Sequence, residues 1–147
     1  MAYYFLYPEK DTTIYSHPLR QDLNTGIVEN VELTSERGTN DLSYYPSRFL
    51  IQFNDTEINN VINNKSTLLI SASLKLYSTE YSRNIPQTQN VEIYAISQSW
   101  NNGTNRYNEH PHFNNIISNG CSWLYADNGN DKTSWQTSSF NPGTTGS

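Results

Sequence analysis

The chain has 147 residues and a formal net charge of -5, with a sequence pI of about 5.0. The length fits a single domain, residues 1–147, and the acidic balance argues against a nucleic-acid partner, because phosphate binding requires clustered Lys and Arg. Only 16% of the residues are charged and Asn is the commonest residue, which favours a β protein with long polar loops over a charged disordered tail or a coiled coil.

Targeting and membrane signals are missing from the sequence. Residues 1–10 do not form a signal peptide, because they lack a basic start and because Pro8 and Glu9 interrupt the apolar run. No apolar run reaches the length of a membrane span, so no membrane partner is expected. The lone cysteine, Cys121, has no second cysteine with which to form a disulfide within the chain. We therefore expect a soluble protein that is made in the cytoplasm and that leaves it only by a route other than secretion.

The first elements in chain order are short strands separated by turns. Residues 3–7 and 12–16 flank Pro8 and predict two short strands or one interrupted edge strand. Residues 27–33 predict a further strand, and a Gly- and Asn-containing stretch at 36–40 predicts a turn or loop.

Three later stretches alternate apolar and polar residues with period two: 48–53, 71–77 and 91–97. Alternation places one set of side chains on each face, so each stretch predicts a half-buried strand of an antiparallel sheet. The second of these, extended back to residue 67, is the longest and is expected to be central. The pattern predicts three core rows: Phe49, Ile51 and Phe53; Leu74 and Leu76; and Val91, Ile93 and Ala95.

One short helix is predicted between the first two of these strands, at residues 56–62. Ile58, Val61 and Ile62 recur at helical spacing, and Thr56 is the expected N-cap. Farther along, residues 101–119 predict a long ordered loop pinned by its aromatics. Two short strands at 122–125 and 133–136 follow.

The order of these elements resembles the core of DNRLRE-type β-sandwich domains, which are related to a family of carbohydrate-binding modules. The match covers about residues 11–111, although the sequence that names the family is absent and Tyr107 stands where the family prefers Trp. The matching pieces are an opening strand at 11–16, the strands at 48–53, 72–77 and 91–97, the Ser-Trp pair at 99–100, and loop residues 103–104 and 107–111.

This resemblance implies an all-β fold, an antiparallel jelly-roll-like β-sandwich with long polar loops. Residues 112–147 are loop-rich, and the strands that close the sandwich in the family are not recognisable after Trp135. The sandwich is therefore expected to be incomplete at its C-terminal end. Either the chain is the front part of a longer protein, or a partner chain completes the sheet.

Metal and catalytic motifs are weak. His110 and His112 offer two ligands, with Glu109 or Asp127 as a third, but ordinary loop histidines are the favoured interpretation. Residues 127–131 are rich in oxygen ligands but lack the EF-hand pattern, so an Asn-Gly turn between two strands is favoured over a calcium site. Because no nucleophile elbow or phosphate loop is present, we expect no enzyme activity, no metal and no cofactor.

The aromatic residues of the later region are the candidate contact residues. Trp and Tyr stack on sugar rings in binding modules, but they are also the usual anchors of protein interfaces. We favour an interface, and we expect Trp123, Trp135 and Phe140 to become buried only in an assembly. The candidate interface or glycan-contact residues are Trp100, Tyr107, Trp123, Trp135 and Phe140.

The functional expectation follows from the resemblance together with the missing signal peptide. DNRLRE-type domains usually belong to secreted bacterial proteins, whereas similar domains in tailed-phage virion proteins leave the host cytoplasm by lysis. We therefore expect a structural component of a tailed-bacteriophage virion, in the neck, tail or fibre attachment. Its partners would be other virion proteins and copies of itself.

The main alternative function is a carbohydrate-binding module for a host surface glycan. A third possibility is an enzyme fragment that acts on polysaccharide.

Overall fold

The computed structural model describes residues 3–38, 42–63, 71–78, 91–106 and 119–136. Within these ranges the regular structure is mainly strand, with one short helix, as the sequence predicts. The elements are β1 (Pro8–Tyr15), β2 (Ser35–Arg37), β3 (Tyr44–Phe53), α1 (Asp55–Asn63), β4 (Tyr125–Asp127) and β5 (Thr133–Ser134).

A three-stranded antiparallel sheet in the order β1-β3-β2 forms the centre of the described fold. The β1 ladder runs from Pro8, opposite Phe53, to Tyr15, opposite Ser47. β2 pairs only with the first residues of β3, from Tyr44 to Pro46. The sequence prediction of strands at 12–16 and 48–53 is thus confirmed, and both strands are longer than predicted.

Buried hydroxyl groups connect this sheet to the irregular segment 24–34. Thr12 and Thr13 are completely buried in β1, and the Thr13 hydroxyl accepts a hydrogen bond from the Glu32 N–H at 2.9 Å. Ser47 does the same from β3, since its Oγ accepts from the Thr34 N–H at 2.7 Å. These bonds pair two N–H groups of segment 24–34, which contains no named strand of its own.

The hydrophobic core is small and is assembled from distant parts of the chain. Its buried members are Ile14, Leu50, Trp100, Cys121 and Ala126, and Ile96, Trp123 and Trp135 pack against it half-buried. Strands β1 and β3 therefore hold the later segments by contributing one aliphatic side chain each. A core of this size makes polar contacts important for stability.

Helix α1 and the β4-β5 hairpin confirm two local predictions. The helix begins after Asn54, whose Oδ1 accepts hydrogen bonds from the N–H groups of Thr56 and Glu57. Asn54 is therefore the N-cap, and the prediction of Thr56 in that role was wrong. Residues 128–132 connect β4 to β5, so the predicted turn does lie between two strands, but β4 shares only Tyr125 with the strand predicted at 122–125.

Four strand predictions were wrong. One of them is the strand predicted at residues 3–7, which lie before the start of β1 at Pro8 and belong to no strand. Residues 27–33, 71–77 and 91–97 form neither strand nor helix, and Leu74, Leu76, Val91 and Ile93 are exposed. Alternation specifies which side chains share a face, but a strand also needs a neighbouring ladder and a cover for its apolar face. Within the described residues, no named strand provides that neighbour for these segments.

The predicted core row on β3 was also wrong. Phe49, Ile51 and Phe53 are half-buried. Leu50, whose side chain lies on the other face of the strand, is only 3% exposed. Residues 12–15 of β1 are all buried, so this part of the sheet is covered on both faces and has no single core side. Leu50 lies opposite Thr12 and belongs to the core cluster with Ile14.

We predict that Leu50→Ala lowers the free energy of unfolding by about 2–5 kcal/mol, because it leaves a cavity between the sheet and Trp100. The matched control is Leu19→Ala, a site that is 81% exposed, where the change should stay within about 0.5 kcal/mol. Urea unfolding of both variants measures the difference, and equal losses would contradict the core assignment.

Candidate functional site

A buried asparagine joins three segments that are far apart in the sequence. Asn24 donates from Nδ2 to the carbonyl oxygens of Asn119 (2.7 Å) and Cys121 (2.9 Å). Its Oδ1 accepts from the N–H groups of Gly26 and Asn105, both at 3.3 Å. A side-chain amide has two donor hydrogens and two acceptor lone pairs, so all four positions are occupied. We call residues 24–26, 101–105 and 119–121 the Asn24 junction.

Glycines allow the backbones of the Asn24 junction to approach one another. Gly103 (φ 74°) and Gly120 (φ 69°) adopt left-handed conformations that disfavour other residues. A Cβ on Gly103 would lie 2.5 Å from Asn24 Nδ2, and a Cβ on Gly120 would overlap the Gly103 backbone. Gly26 is equally restricted, because a Cβ there would overlap the Asn102 carbonyl.

Side chains on the rim of the junction repeat the same kind of bonding. Asn119 and Thr104 pair twice: the Thr104 N–H donates to Asn119 Oδ1 at 3.0 Å, and Asn119 Nδ2 donates to Thr104 Oγ1 at 2.7 Å. Asn102 Nδ2 donates to the Gly26 carbonyl at 3.0 Å. Asn is the commonest residue of the chain, and at this junction its side-chain amides form the hydrogen bonds that paired strands would otherwise provide.

Three tryptophans lie next to the junction, and cations cover the rings of two of them. Lys10 lies 4.5 Å from the ring centre of Trp100 and also donates to the Trp100 carbonyl. Arg48 lies 4.6 Å from the ring centre of Trp123. Burial lowers the pKa of the Arg48 guanidinium, and the nearby Tyr94 raises it by a smaller amount. Cation–π contacts of this kind hold β1 and β3 against the later segments. We call Trp100, Trp123 and Trp135 the tryptophan cluster.

Gln98 holds the third tryptophan in place. Its Nε2 donates to the Ser134 carbonyl at 3.0 Å, and its Oε1 accepts from the Gln136 N–H at 2.7 Å. The side chain thus binds the backbone on both sides of Trp135 as a neighbouring strand would. The Trp135 indole N–H donates to the Ser122 carbonyl at 2.9 Å.

The predicted contact residues are only partly brought together. Trp100 is buried in the core, and Trp123 and Trp135 are half-buried against it. Because the chain itself already buries part of Trp123 and Trp135, the expectation that they are buried in an assembly stays a prediction for their remaining exposed surface. Tyr107 and Phe140 lie outside the described residues, as do Glu109, His110 and His112.

The residues on which the site depends most, Asn24 and Gln98, were not predicted from the sequence. Both stand among many polar residues, and most of their partners are distant in sequence, so no local pattern distinguishes them. The Asn-Gly pairs at 102–103 and 119–120 were a usable signal, because such pairs favour left-handed backbone at close approaches.

Ligand-binding features are limited in the described part of the chain. There, no three His, Cys, Asp or Glu side chains group as metal ligands, and no helix combines the length and hydropathy needed to cross a membrane.

An open depression of about 240 Å³ is lined by residues 27–30 and Arg106, and it is smaller than usual ligand pockets. Burial raises the pKa of the Asp11 carboxyl, but a single perturbed carboxyl does not define a catalytic site.

Comparison of the chain with protein-family models, curated proteins and solved structures gives no match.

We predict that Asn24→Ala lowers the free energy of unfolding by about 3 kcal/mol or more, because it leaves two carbonyls and two N–H groups unpaired at a buried position. The matched control is Asn128→Ala. Asn128 is 1% exposed, but its side-chain atoms have no hydrogen-bond partner among the described residues. Its loss should cost about 1 kcal/mol or less by chemical denaturation. Similar losses for both variants would show that Asn24 does not join the segments.

A second prediction concerns the free energy of unfolding at alkaline pH. Burial raises the pKa of the Cys121 thiol to about 12, above its ordinary value of 9.0, so the unfolded chain loses this proton first. Stability should therefore fall between about pH 9 and pH 12 by up to about 1.4 kcal/mol per pH unit from this group. The measurement is the difference in unfolding free energy between wild type and Cys121→Ala across that range. A difference independent of pH would contradict the prediction.

Proposed function

We propose that this chain is a structural protein of a tailed-bacteriophage virion, located in the neck, tail or fibre attachment. It acts by assembly with other virion proteins and with copies of itself, without catalysis or a cofactor. The finer architecture proposed is a DNRLRE-type, jelly-roll-like β-sandwich whose strands are completed in the particle.

One observation carries the proposal. Two segments whose sequences are typical of strands are exposed, and no named strand of the described residues pairs with them. Residues 71–77 and 91–97 alternate as half-buried strands do, yet Tyr77 is 88% exposed and Ile93 is 70% exposed. Exposed apolar strand sequences are a liability in a free monomer, because they promote pairing with other chains. In an assembled particle, neighbouring chains would pair with the backbone of these segments and cover their apolar side chains.

The tryptophan cluster supports assembly over sugar binding. A sugar-binding platform presents an open aromatic face, whereas Arg48 covers Trp123 and Lys10 covers Trp100. These rings serve the interior of the protein. The structural interpretation is therefore better supported than the glycan one.

The alternative function, a carbohydrate-binding module for a host surface glycan, is favoured by one feature. Trp123 and Trp135 are both half-buried, so part of each indole remains accessible next to the β4-β5 hairpin. A glycan array with wild type and with Trp135→Ala tests this alternative. Binding that disappears in Trp135→Ala while the fold is retained would support the module over the virion protein.

We predict that a quantitative mass-spectrometric inventory of purified particles finds this chain in many copies per particle. Rotational symmetry of the neck and tail should make the copy number a multiple of the particle's symmetry. The control is a known non-structural protein of the same phage, which should be depleted by the purification. A chain absent from particles, or present at less than one copy per particle, would contradict the proposed function.

A further inference from the structure

Three Asn-Gly pairs occur in the chain, at residues 102–103, 119–120 and 128–129. An asparagine that precedes glycine can cyclise, because the glycine nitrogen attacks the side-chain amide carbon and no Cβ hinders its approach. The bond between that carbon and the amide nitrogen breaks, ammonia leaves, and a succinimide ring remains. Water opens the ring to aspartate or isoaspartate. The fold treats the three pairs differently.

The amides of the first two pairs are held by hydrogen bonds at the Asn24 junction. Asn102 Nδ2 donates to the Gly26 carbonyl at 3.0 Å. Asn119 binds Thr104 through both ends of its amide, since Nδ2 donates to Thr104 Oγ1 at 2.7 Å and Oδ1 accepts from the Thr104 N–H at 3.0 Å. Cyclisation at either asparagine first has to break these bonds, so the folded chain protects both sites.

The amide of the third pair is buried without such bonds. Asn128 is 1% exposed, and its Oδ1 and Nδ2 have no hydrogen-bond partner among the described residues. A buried amide without partners is unfavourable, and its loss as ammonia removes the unpaired donors. In the described part of the chain, no side-chain hydrogen bond therefore opposes cyclisation at Asn128.

A carboxylate accepts a hydrogen bond from the glycine nitrogen of the third pair. The Gly129 N–H donates to Asp127 Oδ1 at 3.0 Å, which is within the reach required of a general base. Gly103 makes the same kind of contact, because its N–H donates to Asn101 Oδ1 at 3.2 Å. The acceptor at Gly103 is an amide oxygen, which does not remove a proton as a carboxylate does. The two contacts therefore differ in chemistry although their spacing is the same.

We propose that Asn128 is a self-modification site, at which Asp127 acts as the general base for attack of the Gly129 nitrogen on Asn128 Cγ. The nitrogen–carbon bond forms while the Gly129 proton passes to the Asp127 carboxylate. The same proton then goes to the departing Nδ2, which leaves as ammonia and restores the carboxylate. One water molecule from solvent opens the ring to aspartate or isoaspartate, and no oxidant or other co-reactant is needed.

Peptide mapping of the full chain by mass spectrometry tests the proposal, after incubation of the native protein at mildly alkaline pH. Conversion is the sum of peptides that have lost one ammonia and peptides in which aspartate or isoaspartate replaces asparagine. We expect Asn128 to convert at least about tenfold faster than Asn102 and Asn119, because a general base contributes a factor of this order or more. In denaturant, where the contact between Asp127 and Gly129 is lost, this advantage should disappear.

Two variants test the role of the carboxylate and of the glycine. Asp127→Asn keeps an oxygen that accepts from the Gly129 N–H but removes the base, so conversion should slow by at least about tenfold. Its matched control is Asp131→Asn, which removes the same charge from an exposed residue of the same turn and should leave the rate unchanged. Gly129→Ala should also slow conversion, because its Cβ hinders the attacking nitrogen. That Cβ would lie 3.3 Å from Asp127 Oδ1, the end of a flexible side chain, so the fold should tolerate it.

Three results would overturn the proposal. The first is conversion at Asn102 or Asn119 that equals conversion at Asn128 in the native chain. The second is an Asn128 that stays intact in the native protein while the denatured chain converts. The third is an advantage of Asn128 that persists in denaturant or in Asp127→Asn. Each of these results leaves the particle inventory unaffected, so failure of this inference is distinct from failure of the proposed function.

Discussion

The described fold depends on a single side-chain amide that is shielded from solvent. Asn24 is fully buried and binds four backbone groups in three segments. A buried amide that lost these partners would cost free energy at every unpaired group. The glycines around Asn24 are a consequence, since only residues without a Cβ let the three backbones come this close. The small hydrophobic core is positioned by this arrangement.

The tryptophan cluster follows from the same arrangement. Residues 100–101 and 121–122 leave the Asn24 junction side by side, because the Cys121 N–H donates to the Asn101 carbonyl at 2.6 Å. Trp100 and Trp123 are thereby carried next to β1 and β3, where Lys10 and Arg48 lie over their rings. The indole faces are used to connect the sheet to the later segments. Aromatic residues that the sequence marks as contact residues therefore have a structural role first.

The exposed segments 3–7, 71–77 and 91–97 contrast with this well-bonded centre. Their residues favour strands, and the described part of the chain contains no strand that pairs with them. A protein that assembles through such segments keeps its interior independent of its partners, because the Asn24 junction and the tryptophan cluster are complete without them. In the proposed assembly, ladders and apolar cover would be added at the surface and the core would not need to repack.

The sequence by itself determined the features that depend on local patterns: the strands at 12–16 and 48–53, the helix near 56–62 and the turn at 127–131. Each is encoded by neighbouring residues, through period-two alternation, helical spacing or an Asn-Gly pair. Only the tertiary structure decided the role of Asn24, because three of its four backbone partners lie 81 to 97 positions away. It also decided that Leu50 is buried in place of Phe49, and that residues 71–77 join none of the named strands of the described residues. Burial and strand pairing depend on which distant segments meet, and no local pattern in the sequence specifies that.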